Sequence, residues 1–86
     1  MKNKNEISLK EFIIYVESNV KIKYHGNGYK ETVNYCFIDC LSKLKYSNKT
    51  KKEKVNIIND LLYYANVLGS DITRDLKKQG INKIIF

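Results

Sequence analysis

Residues Tyr29 to Tyr46 read YKETVNYCFIDCLSKLKY, and whether they form a helix or half of a hairpin decides the fold. Val33, Cys36, Phe37, Cys40, Leu41 and Leu44 recur three and four apart, the spacing of one helical face. The competing reading is a hairpin turned by His25-Gly26-Asn27-Gly28, since Thr32 to Ile38 is rich in β-branched and aromatic residues. Helical spacing accounts for all eighteen residues and alternation does not. The stretch is therefore read as a helix, which makes the chain mainly α.

Towards the N-terminus, Val20 to Tyr24 alternates (VKIKY) and the two glycines beyond it break any helix, so a loop is expected there, with a short strand admitted before it. Before that loop, Leu9, Phe12, Ile13, Val16 and Val20 form a second apolar stripe. Ser8 and Glu11 stand in front of it as a capping box, in which the serine accepts from a free backbone N–H and the glutamate returns to the serine's own N–H. A helix from Leu9 to Asn19 or Val20 follows. Towards the C-terminus, Ser47-Asn48-Lys49 is a polar break, and Thr50 with Glu53 repeats the capping pattern. A helix from Lys51 to Val67 or Leu68 is expected to bury Val55, Ile58, Leu61, Leu62, Ala65 and Leu68, with Gly69 as its left-handed end. Ser70 or Asp71 can cap a fourth, shorter helix ending at Gly80. Ile81 to Phe86 is too apolar for a free tail and should dock as a strand. The expected fold is one small helical domain over residues 1–86, of three to four helices with a short C-terminal strand, any sheet being confined to Val20–Tyr24 and Ile81–Phe86.

The chain has 86 residues, 43% of them hydrophobic, enough for one core and too few for a generous one. Help from a partner or a second copy is expected. No apolar run approaches the ~18–20 residues that span a bilayer, and MKNKNEISLKEF lacks the pattern of a secretory signal, so a cytoplasmic protein without membrane contact is expected. Sixteen cations against nine anions leave a net charge of +7, which points to phosphate-rich partners or an acidic protein surface. Lys, Asn, Ile and Tyr make up half the chain, the mix an A/T-rich genome produces by drift, so the use of lysine over arginine carries no functional information. The excess of cations over carboxylates survives that discount.

Chemistry-bearing residues are sparse. Cys36 and Cys40, four apart on a helix, would bridge only with distortion and are read as reduced core thiols. With His25 they supply three zinc donors at most, one short of a structural site. His25 has no identifiable nucleophile and carboxylate beside it, and no phosphate-binding glycine fingerprint followed by Lys-Ser/Thr occurs. Neither catalysis, nor a metal, nor a cofactor is expected.

Binding residues are better represented. Ser70 to Phe86 (SDITRDLKKQGINKIIF) reads as a basic helix, a glycine stop and an apolar strand. Its order of Ile72, Thr73, Arg74, Asp75, Leu76, Lys77, Gly80, Ile81, Lys83 and Ile84 resembles the recognition helix and first wing strand of the arginine-repressor and related winged-helix families, over about a fifth of the chain. The resemblance implies that Ile72 and Leu76 anchor the helix while Thr73, Arg74, Lys77 and Lys78 face a duplex, arginine toward guanine edges or phosphate and the others toward phosphate. In a standard helix-turn-helix register the turn glycine position falls on Asn66 and the apolar turn position on Val67. Leu62 is large for the small-residue position, and the chain stops before a second wing strand. The plainer reading of the same residues is a short amphipathic helix with solvated cations.

Two further groups stand out. Lys43, Lys45, Lys49, Lys51, Lys52 and Lys54 crowd the start of the third helix against one acid, Glu53. Cations there oppose the helix dipole, which a bound anion would reverse; a hydrated loop would also tolerate them. Apolar residues also lie off the core stripes: Ile14, then Tyr35, Ile38 and Tyr46, then Tyr63 and Val67. These clusters suggest a dimer seam or a partner site. The expected function is that of a small DNA-binding regulator, DNA ahead of RNA, using Thr73, Arg74, Lys77 and Lys78 with Lys49, Lys51 and Lys52. Its rival is a protein-directed regulator or inhibitor of the phage or mobile-element type, docking through Tyr35, Ile38, Tyr46, Tyr63 and Val67 or through the lysines.

Overall fold

The computed structural model describes residues 5–20, 28–46 and 48–86. Along the chain run β1 (Glu6–Ser8), α1 (Leu9–Asn19), α2 (Gly28–Tyr46), α3 (Lys51–Val67), α4 (Ile72–Lys78) and β2 (Lys83–Ile85). The fold is mainly helical, and the stretch that could have been a hairpin is one helix. His25 to Asn27, and with them most of the alternating Val20–Tyr24 segment, lie outside the described residues.

Local hydrogen bonds set the helix limits. Ser8 Oγ accepts from the Glu11 N–H at 3.1 Å and donates to the Glu11 carboxylate at 2.9 Å. Thr50 and Glu53 form a full capping box: Thr50 Oγ1 accepts from the Glu53 N–H at 3.2 Å, and the Thr50 N–H donates to Glu53 Oε1 at 3.2 Å. At the other end of α3, Gly69 takes φ +95°, its N–H donates to the Asn66 carbonyl, and the Ser70 N–H reaches back to Ala65. This is a Schellman motif, and α4 ends in a second one: Gly80 at φ +80°, its N–H on Lys77, and the Ile81 N–H on Leu76. The turn between α3 and α4 thus runs from Leu68 to Asp71, three residues later than a standard helix-turn-helix register places it. Asn66 is helical, and among the described residues no non-glycine has positive φ.

The expected confinement of the sheet is corrected. Lys83–Ile85 pairs in parallel with Glu6–Ser8, in the register Glu6 to Lys83, Ile7 to Ile84 and Ser8 to Ile85. The Asn82 N–H extends the ladder onto the Asn5 carbonyl at 2.9 Å. Ile7 is buried and Ile84 packs on the core beside it, which gives this short pairing an apolar face to hold. Parallel strands need a crossover; here the four helices of the described residues lie within it.

The molecule measures 45 × 30 × 17 Å. Phe12, Val16 and Leu61 are wholly enclosed, with Phe37, Cys40, Leu44, Ile58 and Ala65 around them and Ile72 and Leu76 of α4 closing one side. Val55, expected in this core, is 38% exposed. The helix runs past the edge of the core at that turn and leaves Val55 on the wall of an open groove.

Candidate nucleic-acid interface and adjoining groove

Helix α4 is short and is held by both of its ends. Asp71 caps it, its carboxylate accepting from the Arg74 N–H at 3.1 Å, and Ile72 and Leu76, one turn apart, are buried. With those two inward, Thr73, Arg74, Lys77 and Lys78 are all exposed. None of the three cations has a carboxylate partner among the described residues, and the acidic cap and basic last turn both suit the helix dipole.

The start of α3 carries the second set of cations. Its one acid is committed to the cap: the Thr50 N–H and hydroxyl both donate to Glu53, holding its carboxyl below the usual glutamate range, with Lys49 at 3.9 Å contributing less. Lys51 and Lys52 are left exposed, and they and Lys54 have no carboxylate partner among the described residues. Lys43 and Lys45, which the sequence groups with them, are drawn off by Asp39 at 2.9 Å and Glu17 at 3.0 Å. Those hydrogen bonds raise both lysine pKa values above the ordinary one.

A groove of about 370 Å³ lies between α3 and α4 and takes in Thr73 and Lys77 of the first set. Thr73 and Lys77 of α4 form one wall, Val55, Asn59 and Leu62 of α3 the other, and Ile84 and Phe86 lie along the β2 side. Lys52, Val55, Asn59 and Leu62 follow one another at i,i+3/i+4 spacing, so Lys52 prolongs the α3 wall. The Lys51 ammonium stands 6.0 Å from the centre of the Phe86 ring. Lys51 of α3, against Phe86, and Lys77 of α4 therefore stand at one depression. Val55 and Phe86 were not expected at a site; the polar Asn59 within the Val55–Leu62 stripe was the one sequence sign that this row is not simply core.

The apolar faces are distributed differently. Tyr35, Ile38, Tyr46 and Tyr63 are exposed by 64%, 45%, 79% and 61%, whereas Val67 is half-buried. Tyr46 lies with Ile14 along a shallow groove between α1 and α2, with Lys45 5.3 Å from its ring centre. Tyr63 meets Tyr64 edge to face at 5.7 Å between ring centres. Tyr64 also has a raised pKa, owed first to the neighbouring Cys36 and then to burial. Both thiols are free; burial, aided by Asp60, pushes the Cys40 thiol up, as expected of a core cysteine. Among the described residues no group of three metal-ligating side chains occurs and no helix is long and apolar enough to cross a membrane. Comparison of the chain with protein-family models, with curated proteins and with solved structures finds no match.

Proposed function

We propose that this is a non-enzymatic regulator that acts in the cytoplasm by binding nucleic acid, DNA ahead of RNA, through α4 and the first turn of α3. The observation that carries the reading is the division of α4: Ile72 and Leu76 are seated in the core while Thr73, Arg74, Lys77 and Lys78 are exposed and the three cations have no ion-pair partner among the described residues. Solvated cations gain little from each other and much from a phosphate backbone, whose condensed counterions they release. Arg74 is the one side chain in the set able to discriminate a base edge by a bidentate contact; Thr73 and the lysines position the helix on phosphates. The test is duplex DNA binding, followed by fluorescence anisotropy at two salt concentrations. Affinity should fall steeply between about 50 and 200 mM salt; absence of binding at low salt would end the proposal.

A second reading has its own observation. Tyr35, Ile38, Tyr46 and Ile14 are large, apolar or aromatic, and all at least 45% exposed. Tyrosine-rich faces of this kind suit a protein partner or a second copy. Failure to bind DNA together with a concentration-dependent mass in sedimentation would favour it.

A further inference from the structure

We propose that the groove between α3, α4 and β2 is a binding site for an amphiphilic organic anion, an aliphatic chain ending in a carboxylate. Its volume of about 370 Å³ falls in the range of small-molecule sites, ~300–1,000 Å³. The lining is largely aliphatic: Ile58, Leu62, Leu76 and Ile84 present side chains that only an apolar body can cover favourably. Polar groups are few and stand at the walls, the Thr73 hydroxyl, the Asn59 amide and the Lys77 ammonium among them.

Charge selects the kind of apolar ligand. Among the described residues no aspartate or glutamate side chain lines the groove, and the charged side chains that do are Lys77 and Lys83. Lys83 is partly engaged by Glu6 at 3.8 Å, but Lys77 has no carboxylate partner among the described residues, and Lys51 stands over Phe86. A neutral hydrocarbon would cover the aliphatic lining and leave these ammonium groups beside a freshly dried mouth. A carboxylate at the end of the chain meets Lys77 with a charge-assisted hydrogen bond instead. A bare phosphate would satisfy the lysines and leave the aliphatic lining wet. The site is independent of the nucleic-acid reading, although Thr73 and Lys77 border both surfaces.

The experiment uses the full chain with labelled methyl groups, titrated with sodium decanoate, decan-1-ol and sodium propionate in the absence of nucleic acid. Decanoate should shift the Val55, Leu62 and Ile84 methyl resonances saturably and bind about two- to fivefold tighter than decan-1-ol, the worth of one exposed ion pair. Propionate should shift none of them. Lys77→Gln should erase the preference for carboxylate over alcohol while keeping the affinity for decan-1-ol, a split that loss of folding cannot mimic. Val55→Glu should abolish decanoate binding, and Tyr35→Ala, on another face, should change nothing. The proposal is overturned if decanoate fails to bind, if it binds no better than the alcohol, if its preference survives Lys77→Gln combined with Lys51→Gln, or if the shifts gather around Ile14 and Leu44 instead. Dilution-dependent shifts of Val55 and Leu62 in the free chain would show a second copy in the groove and would also overturn it.

Discussion

The Lys51 ammonium lies 6.0 Å from the centre of the Phe86 ring, so the first residue of α3 and the segment following β2 meet at one end of the groove. Through this contact the lysines of α3 share a boundary with Lys77 of α4. Cation–π pairs at exposed sites contribute about 0.5–1 kcal/mol. The contact is therefore weak as a brace and more telling as a statement of position.

Binding and folding should separate on α4. Arg74→Ala should cost about 1–3 kcal/mol of DNA affinity and relax base preference, while Lys52→Ala weakens all sequences alike and shallows the salt slope by about one unit. Neither should change stability by more than about 0.5 kcal/mol, since both side chains are exposed. Leu76→Ala, by contrast, should destabilise by about 2–5 kcal/mol in urea unfolding.

The α3 cap links stability to pH. Thr50→Ala should cost about 1 kcal/mol at pH 7. Glu53 has a folded pKa lowered below its unfolded value, so its contribution is complete above the unfolded value of about 4.3 and is lost as pH falls through the folded one. In urea melts from pH 7 downward, the stability gap between the parent and Glu53→Gln should close below about pH 4. A gap that stays constant across this range would show that the carboxylate charge does not matter.

The two positive-φ glycines should behave alike, and unlike Gly28. An added Cβ at Gly69 or Gly80 meets nothing within 4 Å, so alanine there suffers only from the left-handed backbone, about 1–2 kcal/mol. Gly28 has no such backbone and opens α2 in free space; Gly28→Ala should be neutral or stabilising by up to about 1 kcal/mol. Thermal melts of the three variants check the order.

The terminal sheet should depend on its apolar rung and not on its ion pair. Ile7→Ala removes a buried side chain and should cost about 2–4 kcal/mol, with early amide exchange at Asn82 and Ile84. Lys83→Ala breaks a long, partly exposed pair at 3.8 Å and should cost under about 1 kcal/mol.

The amino-acid sequence by itself determined where the helices begin and end. Thr50 with Glu53, Asp71, Gly69 and Gly80 act through hydrogen bonds spanning three to five residues, and apolar spacing along Tyr29–Tyr46 is enough to reject the hairpin. The exposure of Thr73, Arg74, Lys77 and Lys78 was legible for the same reason, since burying Ile72 and Leu76 on a helix turns those four outward. Tertiary structure alone decided the rest. Glu6–Ser8 pairs with Lys83–Ile85 across nearly the whole chain, and no local signal marks which strand an apolar C-terminal segment will choose. Val55 keeps perfect core spacing yet stands on a groove wall, because periodicity names a face and says nothing of whether a neighbour reaches far enough to cover it. Tertiary structure likewise decided that Lys45 meets Glu17 of α1 and that Lys51 meets Phe86 at the groove lined by Lys77, whereas the Lys43–Asp39 pair is local, one turn apart on α2.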